Sequence, residues 1–321
     1  MVDLPKPMKA VSGTLPDDDD GWAYEIKWDG MRVVSGIDDG IKAVSTRGLD
    51  VVPRFPEMEG LADHLRGHQV VLDGEVVAFD GHRTDFGRLQ HRMHVADRRE
   101  AMRRAADVPV VYVVFDLLHL DGIDTMPLPY EDRRRVLLDL VEPSGGWSVP
   151  AHQIGDGAAL KDAAAEQGLE GVVAKRLASR YEPGRRSPAW RKVKVRRRQE
   201  LVVGGWTRGE GNREGSFGGL LVGHHADGDP GGPLEFAGSV GTGFDQAELA
   251  RLQGLLEAHA RAGSPFRVPL PKTIKGIRWV EPALVVEVEF AEWTSEGRMR
   301  HPAYLGQRID ADPERVIREP G

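Results

Sequence analysis

The chain has 321 residues, 40% hydrophobic, with a formal net charge of −7, enough for two domains each with its own core. No apolar run approaches the length of a bilayer-spanning helix and the opening MVDLPKPMKA lacks the apolar core of a secretory signal, so a cytoplasmic protein with no membrane partner is expected. The absence of cysteine excludes disulfides and thiolate metal sites, which favours hard cations such as magnesium, and the acidic balance argues against an indiscriminate polyanion binder.

In chain order, the first strand signal is YEIKW (24–28), closed by the turn dipeptide Asp29-Gly30, with Arg32 two residues beyond it. Lys27 then projects at a strand end. A lysine is nucleophilic only when partly neutral, which requires desolvation or nearby cations. Spacing cannot show that, and an exposed hairpin lysine is the plain alternative. IKAVST (41–46) runs into STRG (45–48), which sets Arg47 beside a glycine turn, and VVLDGEVVAFD (70–80) places Glu75 at the head of an apolar strand. VYVVFDLL (111–118) carries Phe115, a core residue by itself. Helices are expected over 132–141 and 157–167. EGVVAK (170–175) sets an acid, Glu170, before a buried strand and Lys175 after it. In WRKVKV (190–195), alternation puts Trp190, Lys192 and Lys194 on one face.

Past position 198 the character changes. LVVGGWT (201–207), GGLLVGHH (218–225), LEFAGSVG (234–241) and ALVVEVEF (283–290) read as glycine- and proline-bounded strands, with one helix over 245–262 and a glycine-rich hairpin or loop at 209–219. The expected architecture is an α+β first domain (1–199) with predominantly antiparallel sheets, followed by a small barrel of the oligonucleotide-binding kind (200–321). Positive charge is local: residues 175–198 hold eleven Lys/Arg against the single acid Glu182. A solvated face is the alternative to phosphate contact there, and for Arg196 to Arg198 a hinge surface is as good a reading as binding.

Taken together and in this order, the segments resemble the covalent nucleotidyltransferases, most closely the short ATP-dependent DNA ligases of bacteria and, in layout, the ligase modules of bacterial end-joining systems. Lys27-Trp28-Asp29-Gly30 matches the nucleophile motif of that family. Ser45 to Gly48, Asp73-Gly74-Glu75, the segment around Phe115, Glu170 to Lys175, and Lys192 to Lys194 match those that follow, and EWTSEGRMRHPAYLG (292–306) adds to the likeness.

The resemblance implies an adenylation (nucleotidyltransferase) domain followed by an OB-fold domain, ATP and a divalent metal (Mg²⁺ or Mn²⁺) as cofactors, and nicked or broken duplex DNA as partner. Lys27 would attack the α-phosphate, AMP would pass to a DNA 5′-phosphate, and the 3′-hydroxyl would displace it. Glu75 and Glu170 are the expected metal ligands, with Glu75 also a candidate for the ribose. Arg32 and Arg47 are assigned to ribose or phosphate, Lys192 and Lys194 to the α-phosphate, with Trp190 on the same face. Phe115 would stack on adenine while backbone near Glu25 and Ile26 reads its edge. Arg185, Arg186 and Arg197, and the basic run 88–104, would track DNA phosphates. End-binding and polymerase proteins of a repair pathway are expected partners, in a bacterial cytoplasm at the nucleoid. An RNA ligase or capping-type enzyme is the rival with the same lysine chemistry, and a non-catalytic OB-fold binder the rival from another class. One departure is plain: related ligases end in an R-x-D-K pattern, whereas Arg308-Ile309-Asp310 is followed by Ala311. Arg308 is taken as the functional remnant of that lid motif, with Arg300 and Arg298 as substitutes.

Overall fold

A computed structural model describes residues 3–319 apart from 96, 196 and 210 and the side chain at 212. The chain forms two compact units, Met1–Val195 and Arg196–Gly321. They meet a few residues before the expected boundary near Gln199, because Arg198 and Gln199 already pair with Glu289 and Val288 in the second unit's sheet.

In the first unit, one sheet runs in the order Lys9–Ser12, Arg186–Lys194, Gly171–Arg176, Trp22–Ile26, Gln153–Ile154. The other runs Ile41–Ser45, Met31–Ile37, Val70–Asp80, Val110–Leu120, Ile123–Asp124. These neighbours are antiparallel except for Lys9–Ser12 against Arg186–Lys194. Strand formation follows composition. Val70–Asp80 and Val110–Leu120 are β-branched runs buried almost throughout, which is the signature of central strands. The turn at Asp29-Gly30 hands the chain from the first sheet to the second, and Gly30 is required there because a Cβ would collide with the Val76 carbonyl and with Val77 Cγ1 at 2.8 Å. Outside the first sheet, helix Gly157–Glu166 is capped by the Asp156 carboxylate and packs Leu160 and Ala164 on the strands.

In the second unit, the long strand Arg198–Arg208 pairs with Phe217–His224 on one edge and with Val285–Glu289, then Ile277–Val280, on the other. Glu235–Val240 and Ala303–Gln307 extend it. Among the described residues no ladder joins those two outer strands, so the barrel is partly open. Leu249, Leu252 and Leu256 of helix Gln246–Ala258 fill its core. This helix stops earlier than the sequence pattern implies, since Ala260 and Arg261 turn into a strand opposite Val280 and Trp279.

Three α-helices were not legible, the short Gly60–His64 and two in a basic stretch. The basic run 88–104 folds as Phe86–Met93 and Arg98–Asp107, and it is not a free phosphate-tracking surface. Arg92 is fully buried and bonds Glu57 at 2.7 and 2.9 Å, the Val108 carbonyl and the Arg54 carbonyl. Arg98 pairs with Glu59, and Arg104 with Glu100 and the His91 carbonyl. Their carboxylate partners spend most of the charge within the fold.

Candidate active site

Three strand ends converge. Lys27 directly follows Trp22–Ile26, and its N–H donates to the Gly171 carbonyl at 2.8 Å. Glu170 directly precedes the antiparallel strand Gly171–Arg176, and its carbonyl accepts from Val195 N–H at 2.9 Å. Lys194 closes the third strand, opposite Gly171. The approach is close enough that only glycine fits at 171: its φ is 150°, and a Cβ would meet the Val193 carbonyl and lie 2.8 Å from Lys194 Cα. As a result the Lys27 ammonium donates to Glu170 Oε2, while Lys194 Nζ lies 3.8 Å from Glu170 Oε1. The Glu170 side chain is 2% exposed and that of Lys27 21%, so Lys27 is the more open of the two.

Burial pulls the Lys27 ammonium down, but the attraction and hydrogen bond of Glu170, aided by Asp29 and Glu75, outweigh it and hold the group above the ordinary lysine range. The partial neutrality that a nucleophilic lysine needs is therefore not supplied by these surroundings, which favour the ammonium. Glu75, half-buried, is the ladder partner of Arg32. Among the described residues no group of three or more His, Cys, Asp or Glu gathers as a metal cage. Magnesium uses one or two carboxylates and completes its shell with phosphate oxygens and water, so two carboxylates around one amine fit that demand.

Arg32 does not stand free. Its Nε and Nη2 grip Asp73 Oδ1 and Oδ2 at 2.6 and 2.7 Å, and Tyr181 Oη donates to Oδ2 at 2.5 Å. The guanidinium also lies 4.4 Å from the Phe115 ring centroid. Phe115 is 6% exposed and meets Trp190 edge-on at 6.4 Å. Arg32 on one sheet and Trp190 on the other thus enclose the ring expected to stack on a base.

The residue that sequence reasoning passed over is Lys175. Its ammonium is buried, donates to Glu25 Oε1 and Oε2 at 2.8 and 2.9 Å, and lies 4.5 Å from the Phe115 and Trp190 centroids and 5.0 Å from that of Tyr130. Tyr130 Oη also donates to Glu25. Burial works against the Glu25 carboxylate, yet Lys175, Arg134 and Tyr130 hold it below the usual range. Strand register, which the sequence does not carry, brings the two together: Lys175 pairs with Ala23 and Trp190, facing the side to which Glu25 points. Glu25 thus fastens the strand, and its backbone carries the other expectation. The edge strand Gln153–Ile154 pairs only with Ala23 and Tyr24 among the described residues, so no ladder covers Glu25 and Ile26 on that side.

The remaining candidates are dispersed. Arg47 is exposed in the turn after Ile41–Ser45, and Lys192 is half-buried in register with Val173. Arg185 and Arg186 are exposed, Arg186 bonding the Ala10 carbonyl at 2.9 Å. Arg196 lies outside the described residues. In the second unit Arg197 is exposed, Arg300 pairs with Glu292 at 2.8 Å, and Arg298 lies 5.4 Å over the Phe236 ring. Arg308 bonds Asp310 at 3.1 and 3.0 Å and Glu287 at 3.0 Å, with Glu200 at 3.8 Å. Ala311 packs against an apolar cluster. The expected lid cation is therefore neutralised by its own unit.

The sequence matches the family described as ATP dependent DNA ligase domain over residues 3–194 and that described as ATP dependent DNA ligase C terminal region over residues 213–311. It is 42% identical over 317 residues to the multifunctional non-homologous end joining DNA repair protein LigD of Mycobacterium tuberculosis, covering 98% of this chain and 40% of that protein. Against DNA ligase 1 of Methanosarcina acetivorans it is 32% identical over 324 residues, covering 91% of this chain and 56% of the relative. The chain thus spans less than two thirds of the length of these curated relatives. A solved structure of mycobacterial DNA ligase D complexed with ATP and MES shares 40% identity and the fold at a TM-score of 0.72, covering 98% of both chains. With an adenylation-type α+β unit followed by an OB-type barrel, and with both family regions matched, the chain belongs to the ATP-dependent DNA ligase family.

Proposed function

We propose that this chain joins breaks in duplex DNA through a lysyl-AMP formed on Lys27. The observation that carries the reading is the convergence of Lys27, Glu170 and Lys194 at three adjacent strand ends. Lys27 Nζ gives up a proton to solvent and forms a bond to the α-phosphorus of ATP as the bond from that phosphorus to the bridging oxygen breaks and pyrophosphate leaves. The nucleotide then passes to a DNA 5′-phosphate, releasing the lysine, and the 3′-hydroxyl attacks that phosphate with loss of AMP. Because such a transition state needs little covalent help, positioning and charge neutralisation dominate. Lys192 and Lys194 are assigned to the α-phosphate oxygens, Arg32, Arg47 and Glu75 to the ribose and phosphates, and Phe115 with Trp190 to the base.

Glu75 and Glu170 are the residues that would hold a divalent cation. When bound, the cation would neutralise charge on the phosphate oxygens. The chain's own contribution is a charged Lys27 that Glu170 keeps oriented until phosphate oxygens arrive. The first unit is assigned the adenylation chemistry; Arg185 and Arg186 of that unit and Arg197 of the second are assigned as DNA phosphate contacts. Relatives named for non-homologous end joining and DNA repair support a role in DNA-break repair, and the proposal extends to end-binding and polymerase proteins as partners in a bacterial cytoplasm. Incubation with ATP labelled at the α-phosphate, followed by denaturing electrophoresis, tests the reading: the label should stay with the chain and be chased onto nicked DNA. A chain that never takes the label removes it.

A further inference from the structure

Arg32 is held by more than its carboxylate partner. Its Nε and Nη2 bond Asp73, and Nη2 also donates to the Met8 carbonyl at 3.3 Å. The Met8 N–H in turn donates to Tyr181 Oη at 2.9 Å, and Tyr181 Oη donates to Asp73 Oδ2 at 2.5 Å. These bonds close a circuit that runs from Arg32 to Asp73, to Tyr181, to Met8 and back to Arg32. Its members come from four places in the first unit: strand Met31–Ile37, strand Val70–Asp80, the residue just before strand Lys9–Ser12, and the loop between Gly171–Arg176 and Arg186–Lys194. Sequence spacing reveals none of it, since the bonded partners lie between 24 and 173 residues apart.

Tyr181 is the member that no step of the chemistry has yet used. Asp73 is fully buried, so each of its oxygens needs donors, and the phenol supplies one without adding charge. Burial, reinforced by the Asp73 carboxylate, holds the phenol well above its ordinary pKa, and the hydroxyl therefore keeps its proton and remains a donor. Its ring meets Trp190 edge-on at 5.7 Å and its own N–H donates to the Met126 carbonyl at 2.9 Å, which leaves the hydroxyl little freedom. The circuit spends three of the five guanidinium N–H donors of Arg32. Among the described residues the two on Nη1 have no hydrogen-bond partner, and the side chain is 23% exposed. Arg32 is thus a clamped cation with one arm of its fork left over.

We propose that Tyr181 is a positioning residue for the nucleotide: by tying Asp73 to Met8 it fixes the plane of the Arg32 guanidinium and aims Nη1 at ATP. This rests on the reading of Arg32 as an ATP contact. Tyr181 itself is 3% exposed and acts through Arg32. Holding a cation in its binding geometry before the ligand arrives lowers the cost of ordering it on binding.

The test compares the full chain with Tyr181→Phe, Arg32→Lys, the two together, and Leu118→Val, which trims the apolar cluster around Tyr181 and Phe115 and removes no hydrogen bond. Single-turnover enzyme-AMP formation is followed over a range of ATP concentrations, and a melting curve is taken for each protein. Tyr181→Phe keeps the ring and should raise the half-saturating ATP about three- to tenfold, the net worth of one hydrogen bond, with the rate at saturation changed less than about twofold. On top of Arg32→Lys it should add less than about twofold, because a lysine has no fork for the hydroxyl to aim. Leu118→Val should melt lower yet leave the half-saturating ATP unchanged. An unaltered value in Tyr181→Phe, an equal effect in both backgrounds, or a rise that Leu118→Val shares overturns the proposal. If the unsubstituted chain takes no label from ATP, or Arg32→Lys labels with unchanged ATP dependence, the reading of the site falls first and this inference with it.

Discussion

Lys27 and Glu170 meet as ammonium and carboxylate across two antiparallel strands, one ending where the other begins. That contact makes Glu170 the brake on the nucleophile as well as a metal-site candidate. Glu170→Gln should let the Lys27 pKa fall, because burial then meets less opposition. Reactivity of Lys27 toward an amine-acylating reagent at about pH 9 should rise. Single-turnover enzyme-AMP formation should nonetheless drop about 10²-fold or more, with ATP affinity little changed. A matching loss of ATP binding with an unaltered chemical step would make Glu170 a nucleotide-positioning residue.

Arg32 offers a second test. Its planar fork holds Asp73 through two bonds while its face lies on Phe115. Lysine can reproduce neither arrangement. Arg32→Lys should lower stability by about 1–3 kcal/mol, since Asp73 is fully buried and loses the two-bond grip of the guanidinium. It should also weaken adenylation, read as a rise in the ATP concentration needed for half-maximal labelling. Intact labelling in a destabilised protein would limit Arg32 to a role in the wall.

The Glu25–Lys175 pair predicts a pH effect. The Glu25 carboxylate is held below its usual range, so the pairing contributes stability above the pKa of an unfolded glutamate, about 4.3. That contribution is lost as pH falls through the depressed value. Lys175→Met should cost about 3–5 kcal/mol at neutral pH by leaving a buried carboxylate unpaired, and Glu25→Gln/Lys175→Met should recover much of it. Denaturation followed from neutral pH down to about pH 3 should show the double variant with the flatter profile. A double variant as unstable as the single one would contradict the assignment.

Arg308, taken as the remnant of the lid motif, is surrounded by Asp310, Glu287 and Glu200. Arg308→Ala should therefore destabilise the second unit by about 3 kcal/mol. It should reduce enzyme-AMP formation and the sealing of a pre-adenylated nick to similar extents. Selective loss of the first step would restore the lid assignment.

How much of this could be read in advance depended on range along the chain. The strand ends bearing Lys27, Glu170 and Lys194 were legible, because each pairs an apolar run with one polar residue in a local pattern, whereas Glu75, read as the head of a strand, lies in the middle of Val70–Asp80. Partners far apart in sequence were not. Arg92 meets Glu57 and Lys175 meets Glu25 only through tertiary packing, so the sequence showed positive charge without showing where it was spent. The charge state of Lys27 was hidden for the same reason: Glu170 lies 143 residues away.

The most direct measurement follows the label from ATP carrying radioactivity at the α-phosphate through the full chain and onto a nicked duplex. The account predicts a covalent adduct mapping to Lys27, absent from Lys27→Arg because a guanidinium stays protonated and cannot attack, and discharged onto the DNA 5′-phosphate as the nick is closed. An adduct that persists in Lys27→Arg, or one that forms on Lys27 but never reaches DNA, would contradict it.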